Sequence, residues 1–500
     1  MTDALKDLKE RLAEIEDYQA IFAVLEWDQQ VNMPPEGAEG RGYAIARIAE
    51  RAHNLSVSEE MIRSLEDAEK SVIGMDADAD DVRLVKLCRE LLDKEIKVPS
   101  DWVSEFAQTT AIAHNVWEEA KAKNDFALFQ PHLEKIVDMR RQYAGFFKPY
   151  DHIYDPLLHH FDRGLNTADL VEIFSALRPR QVELIRHISS RPQVDDSFLH
   201  GHFPEKEQWD FGVEVITAFG YDWNRGRLDK AVHPFSTGFN RGDVRITTRI
   251  YENLAGSSLF SCMHEAGHAL YSMGSAPALA RTPLSSNHSM ALHESQSRMW
   301  ENLVGRSKPF WKHYFPKFQS RFRSQLANVN QADFYRAINK VEPSFIRVEA
   351  DEATYNLHVM LRFEVELALV ENRLQVKNLP DYWNTKFNEY FGITPPDNSR
   401  GVLQDVHWSA GYIGYFPTYS IGNVISVQLW EAVRKDLPNL DEQIEKAEFK
   451  PLLGWLVENI HRHGAKYECQ ELVKRVTGSK IDPQPYLRYL ESKYKDIYGA

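Results

Sequence analysis

The sequence predicts an all-α body carrying one small β-hairpin, and two observations predict it. Apolar residues recur at steps of three and four along most of the chain, beginning with Leu5, Leu8, Leu12, Ile15, Tyr18, Phe22 and Leu25. That spacing makes the apolar stripe of an amphipathic helix. A single stretch, His233–Ile250, follows the other rule: turn residues stand at Asn240-Arg241-Gly242, and Val244, Ile246, Thr248 and Ile250 alternate onto one side of an extended strand. With 500 residues, 43% of them hydrophobic and 26% charged, the chain is long enough for a large buried core and has an ordinary globular composition.

Taken in order, the first helix stops at Met33-Pro34-Pro35, because a residue before proline is pushed out of the α region. Helical periodicity then covers residues 37–54, 58–70, 79–95, 99–123, 127–149, 167–190 and 205–219. Beyond the hairpin it resumes over 254–273, 287–305, 308–326, 331–341, 345–372, 379–391, 411–435, 448–462 and 482–494. Proline-containing joints such as Gly392–Gly401 read as loops, and no repeat, low-complexity tract or flexible linker divides the series. Residues 1–500 therefore read as a single domain, compatible with two helical lobes around a groove.

The formal net charge of −14 offers no electrostatic footprint for nucleic acid or an anionic membrane. No window approaches the ~18 consecutive apolar residues of a membrane span. The N-terminal stretch is charged and lacks the apolar core of a secretory signal. The three cysteines, Cys88, Cys262 and Cys469, are too few and too scattered for a disulfide framework. Together these features predict a cytoplasmic protein.

Chemistry concentrates first in His264-Glu265-Ala266-Gly267-His268. On a helix, His264 and His268 at i and i+4 present both imidazoles to one ion. Glu265 stands about 100° further round, where it reaches a water on that ion without ligating it. Gly267 costs about 1 kcal/mol of helix propensity, which signals a close backbone approach. The competing reading is a satisfied surface or core pair of histidines. Cys262 reads as a small buried thiol off the histidine face. A third ligand is expected from Ser285–Gly305, which has helix-start residues at Ser285-Ser286-Asn287 and a stop at Gly305. It offers Glu294 and, beside it, His293. Glu294, Arg298 and Glu301 share one face, and the residues alone leave both ligand candidates open.

A hydrolase also needs donors for the oxyanion. Gly401–Asn423 supplies His407, Tyr412, Tyr415 and Tyr419, with a buried aromatic stripe as the alternative. Gly411 and Gly414 remove packing surface from what reads as one helix. Arg347 and Asp351 stand at i and i+4, either as a helix ion pair or with Arg347 gripping a peptide's terminal carboxylate. Arg245 in the hairpin has the same two readings. An exposed strand edge near the metal could hold an extended substrate through its backbone.

Seven motifs in order carry a resemblance over essentially the whole chain: Leu25–Pro35, His233–Phe235, Asp243–Thr247, His264–His268, His293–Gln296, Ile346–Asp351 and Gly401–Trp408. Together they resemble the carboxypeptidase Taq family of metallopeptidases. The resemblance implies a mostly helical protein with a deep central groove, similar in fold to neurolysin and angiotensin-converting enzyme. It further implies removal of single residues from peptide substrates with a free C-terminus, with broad specificity. The metal implied is zinc, replaceable by cobalt, and the assembly a homodimer. Carried over by motif, His264, His268 and Glu294 hold the metal and Glu265 is the general base. The Gly411–Phe416 segment is similar to the paired-tyrosine segment of angiotensin-converting enzyme. That similarity makes Tyr415 the oxyanion stabiliser, with His407 nearby, and Tyr412 a carboxylate or substrate binder. Arg347, with Tyr412 or Arg245, would capture the substrate's α-carboxylate. Two rivals share parts of this pattern: an endo-acting oligopeptidase of neurolysin type, and a non-catalytic peptide-binding scaffold with a closed structural metal site.

Overall fold

The computed structural model describes residues 2–286 and 289–499, and polar caps and prolines set many of its helix boundaries. The chain opens with α1 (Asp3–Val31), α2 (Ala38–Ser56), α3 (Glu59–Ser71), α4 (Asp80–Lys97), α5 (Ser100–Lys123) and α6 (Phe126–Gly145). Thr2, Ser58 and Asp125 cap α1, α3 and α6 by accepting a backbone N–H of the first turn. A one-turn α7 (Asp155–Leu158) precedes α8 (Thr167–Ser189) and α9 (Glu205–Phe219), which ends at left-handed Gly220. Strands β1 (Leu228–Lys230), β2 (Ser236–Asn240) and β3 (Asp243–Thr248) follow. The second half holds α10 (Ser257–Met273), α11 (Met290–Arg298), α12 (Lys308–Arg321), α13 (Arg323–Leu326), α14 (Gln331–Ile338), α15 (Glu352–Val370) and α16 (Leu379–Phe391). It closes with α17 (Pro417–Asp436), α18 (Leu440–Glu445), α19 (Lys450–Asn459), α20 (Cys469–Thr477) and α21 (Gln484–Tyr498).

The expected hairpin is there as β2 and β3, with Ser236 opposite Ile246 and Gly238 opposite Val244. A third strand, β1, pairs in parallel with β3, so the sheet order is β1-β3-β2 and β2 is an edge. Val244 and Ile246 are fully buried in a cluster with Cys262, Ala266 and Ala269 of α10. That contact fixes the sheet against the helix bearing His264 and His268. The large core spans α5 to α21, and a separate apolar cluster joins α1, α3 and α4 to Leu279, Leu284 and Ala465. Among the described residues, no helix is long and apolar enough to cross a membrane.

Several expected elements are corrected. The helix expected over 411–435 begins only at Pro417. Gly411 and Gly414 ahead of it are left-handed, with φ of +75° and +101°. A Cβ on Gly411 would stand 2.3 Å from Phe106, and one on Gly414 2.6 Å from the Leu157 backbone, so Tyr412 and Tyr415 lie in turns that only glycine permits. The stretch 345–372 is split: Arg347–Glu349 is a separate short turn, and Asp351 caps α15 by accepting from Ala353 N and Thr354 N. The expected 287–305 helix has Ser289 as its cap and relaxes after Arg298 into a π-helical turn, Met299–Val304. Asn287, one of the expected start residues, lies outside the described residues. Helices α7, α18 and α20 were not expected. In α20 the buried stripe is only Cys469, Leu472 and Val473, too short to declare a period.

Candidate active site

Helix α10 carries His264 and His268 on one face, and α11 lies across it. The approach is as close as backbones allow: a Cβ on Gly267 would fall 2.7 Å from Gln296 O and from Ser297 Cα. On the other side of α11, a Cβ on Gly422 of α17 would meet the Glu294 side chain at 2.7 Å. Two glycines thus press α11 between α10 and α17 and turn Glu294 toward the histidines. His264 Nε2 and His268 Nε2 stand 3.6 and 3.5 Å from the same Glu294 Oε2. The candidate ligand atoms of all three residues lie within 4.8 Å of one another. Donors held about 2.1 Å from a tetrahedrally bound divalent ion are themselves about 3.4 Å apart, so this N,N,O set fits such an ion.

The surroundings fix which atoms would face such an ion. His264 Nδ1 donates to Glu301 Oε2 at 2.9 Å, leaving Nε2 bare. His268 Nδ1 meets His293 Nδ1, so His293 backs a ligand instead of joining the set. Arg298 Nε donates to Glu294 Oε1 at 2.7 Å, and Ser297 Oγ donates to Glu294 Oε2 at 3.0 Å. Arg298 and Arg306 also flank Glu301. Burial alone would raise Glu301, but Arg298 and His264 hold it well below the usual carboxylate range. Burial and the neighbouring His293 and His264 keep His268 neutral, far below its ordinary value. We expect Glu301→Gln to weaken divalent-metal affinity about 10- to 100-fold, as read by competition with a chelator, because the amide no longer enforces the His264 tautomer.

Glu265, one residue round α10, is buried and borders the same space. Burial, with Glu294 and Glu301 adding to it and His264 opposing, pushes its carboxyl up to about 7. The space is a groove of about 640 Å³. One wall is the edge strand β2 with Phe235, Ser236, Gly238 and Phe239; another is Tyr415, Thr418 and Tyr419; α1 contributes Glu16, Gln19 and Ala23. The part played by α1 had no local signal, since its groove-facing residues belong to an ordinary amphipathic helix.

The remaining candidates divide. Tyr415 lines the groove, and burial raises its hydroxyl above the ordinary tyrosine value. His407 sits behind the tyrosines, its Nε2 3.4 Å from Tyr419 Oη and its ring 4.4 Å from that of Phe416. Burial, with Arg347 and Arg362 beyond it, lowers His407 to about 3 against the pull of Asp405. Tyr412 is half-exposed and lines a neighbouring cavity, with its ring 5.8 Å from that of Tyr415.

Two arginine expectations are corrected. Arg347 does not pair with Asp351. Its Nη2 donates to Asp405 Oδ1 at 2.9 Å and its Nη1 to Tyr355 Oη at 2.9 Å. Arg362 grips the other Asp405 oxygen, so two buried guanidiniums share one carboxylate behind Tyr419. Arg245 does not line the groove. It forks onto Asp243 and stacks 4.2 Å over Trp27 of α1, pinning that helix to the sheet. The Leu25–Pro35 and Asp243–Thr247 motifs are thereby two halves of one contact. Cys262 is buried under the sheet, where desolvation pushes its thiol up to about 11.

Comparison with known proteins bears directly on this site. Residues 7–494 match the family described as carboxypeptidase Taq (M32) metallopeptidase. Carboxypeptidase 1 of Bacillus subtilis (strain 168) is 37% identical over 500 residues, covering 99% of this chain and 98% of that one. Thermostable carboxypeptidase 1 of Thermus thermophilus is 38% identical, covering 96% of each. The crystal structure of an M32 carboxypeptidase from Deinococcus radiodurans R1 superimposes with a TM-score of 0.97 at 38% identity over 100% of both chains. These likenesses run the full length and do not favour the oligopeptidase alternative. With a helical body, an N,N,O donor set that fits a divalent ion and full-length relatives of one activity, the chain belongs to the carboxypeptidase Taq (M32) family and is a metallocarboxypeptidase.

Proposed function

We propose that the chain is one catalytic domain that releases single residues from the free C-termini of peptides, with a zinc ion held by His264, His268 and Glu294. The observation that carries this reading is the convergence of both Nε2 atoms on Glu294 Oε2 beside Glu265 in a groove edged by a β-strand. Among the described residues three donors converge, not four, which supports a catalytic site over a closed structural one. When bound, zinc supplies Lewis acidity and lowers the pKa of water; cobalt, with the same coordination preference, substitutes.

Glu265 accepts the proton of the attacking water and returns it to the leaving amine. Tyr415 Oη donates to the developing oxyanion, and His407 supports the tyrosine cluster from behind. The free edge of β2 receives the extended peptide by backbone hydrogen bonds. Arg347 and Arg362 share the single charge of Asp405, leaving an excess positive charge behind Tyr419 that favours the substrate's α-carboxylate nearby. Tyr412 contacts the peptide beyond Tyr415, and Arg245 acts through α1 and the sheet it holds together. Three free buried cysteines support a reducing, cytoplasmic setting, and the family resemblance supports a homodimer.

The test is product release from matched peptides with free and amidated C-termini, using metal-depleted enzyme reconstituted with zinc or cobalt. Free peptides should be cut only after metal is restored, and amidated ones should be inert. Equal rates on amidated peptides would return the chain to the endo-acting reading.

A further inference from the structure

Next to the catalytic groove lies a second cavity of about 890 Å³, lined by α4, α5, α6, residues 159–161, Arg163 and Tyr412. The two spaces adjoin. Met290 borders both, and the Phe161 ring packs edge-on against Tyr412 at 5.7 Å and Tyr415 at 5.0 Å. In the wall of this cavity is Arg140, which is only 4% exposed. Its guanidinium stacks on Phe106 at 5.2 Å and on Tyr143 at 5.1 Å.

Among the described residues, no carboxylate forms a salt bridge with Arg140. Its Nε finds no acceptor among the described residues. The carboxylate that bears on it electrostatically is Glu366, whose oxygens already accept from Tyr154 Oη at 2.6 Å, Trp408 Nε1 at 2.8 Å and Gly414 N at 3.0 Å. The other cations of the lining, Lys94 and Arg163, both turn to Glu90. The acidic residue of the lining, Glu95, is half-exposed and lies 3.2 Å from His53 Nδ1. Burial pulls the Arg140 guanidinium down to about 10, which still leaves it charged at neutral pH. A buried charge without a partner is costly and is ordinarily removed or paired.

We infer that Arg140 is a specificity residue that receives the carboxylate of an acidic side chain on the substrate, upstream of the bond being cut. The inference rests on the groove being the catalytic one. A planar fork stacked between aromatic rings is suited to a bidentate carboxylate, and Trp102, Phe106 and Val98 give an apolar wall for the methylene stem of a glutamate. The substrate's own α-carboxylate is a poor candidate. A one-residue leaving group reaches only about 4 Å from Cα to Cα, whereas Tyr412 and Phe161 stand between this cavity and Tyr415.

The experiment uses the full-length, metal-loaded enzyme and peptide pairs that share a free C-terminus and differ only by Glu or Gln at the first, second or third residue upstream of the scissile bond. At one of these positions the wild type should favour Glu in kcat/KM by about tenfold or more. Arg140→Met should abolish that preference while keeping the Gln peptide within about threefold of wild type. Arg140→Lys should retain part of it, keeping charge but not the fork. The Met variant should melt no lower than wild type, since it removes an unpaired buried charge. Equal rates for Glu and Gln at every position in the wild type would overturn the inference, as would equal losses on both peptides in Arg140→Met. If no peptide were cut, the carboxypeptidase reading would fail instead, and calorimetric binding of the same pairs to wild type and Arg140→Met would judge Arg140 separately.

Discussion

Glu265→Gln is expected to lower turnover about 100- to 10,000-fold and to leave the metal content unchanged. The amide keeps the size of the carboxylate and stays buried on the same face of α10. It cannot accept a proton from water or carry one to the leaving amine. The candidate ligand atoms are untouched, because the group within 4.8 Å of one another is His264, His268 and Glu294 and does not include Glu265. Kinetics on an N-terminally blocked peptide with a free C-terminus, paired with elemental analysis of bound metal, check both halves. A variant that kept a substantial share of wild-type activity would end the assignment of Glu265 as base, and one that lost metal would make it a structural residue.

The largest effect on stability is expected at Asp405. Its two oxygens are divided between Arg347 and Arg362, both buried. Asp405→Ala leaves two guanidiniums facing each other without a counter-charge, a loss of about 3–5 kcal/mol for breaking a buried pair. Burial opposes the Asp405 charge, but Arg347 and Arg362 hold its pKa well below the usual carboxylate range. The folded-state value therefore lies under the unfolded one. The stabilisation is present above the unfolded pKa of about 3.9 and is lost as pH falls toward the folded value. Denaturant melts at neutral pH and near pH 3 should show the variant far weaker at the first and the gap narrowed at the second. A gap that did not change with pH would mean the loss is one of packing, not of charge.

The helical body was legible because amphipathic stripes such as Leu5, Leu8, Leu12 and Ile15 are local, and these four are buried in the structure as that spacing requires. The pair His264 and His268 was legible for the same reason, since i and i+4 share a face whatever lies opposite. The third candidate donor was not legible from spacing alone, and Glu294 came from the family resemblance. Glu294 and His293 are neighbours, and their roles are divided by the rotational phase of α11, which Gly422 sets from another helix. The break before α15 did have a signal: Asp351 and Thr354 are spaced as a cap and its first turn. The apolar period continuing through Leu357 and Leu361 masked it. Pro417 likewise marked the start of α17, so the tyrosine turns could have been separated from the helix. Arg245 had a local signal for Asp243, two residues back on the same strand, but Trp27 beneath it, Asp405 beside Arg347 and Phe106 against Arg140 had none. Those three partners stand tens to hundreds of residues away.

The two absent side-chain carbons on either side of α11 also bear on how rigidly the candidate donors are held. Because Gly267 and Gly422 let three helices touch backbone to backbone, Glu294 has no slack of its own with which to swing aside. Moving the Glu294 backbone relative to the two histidines means parting α11 from α10 or α17, a movement of the hydrophobic core and not of a loop. The spacing that His264, His268 and Glu294 would offer an ion is therefore set by the hydrophobic core and is as stiff as the packing around it.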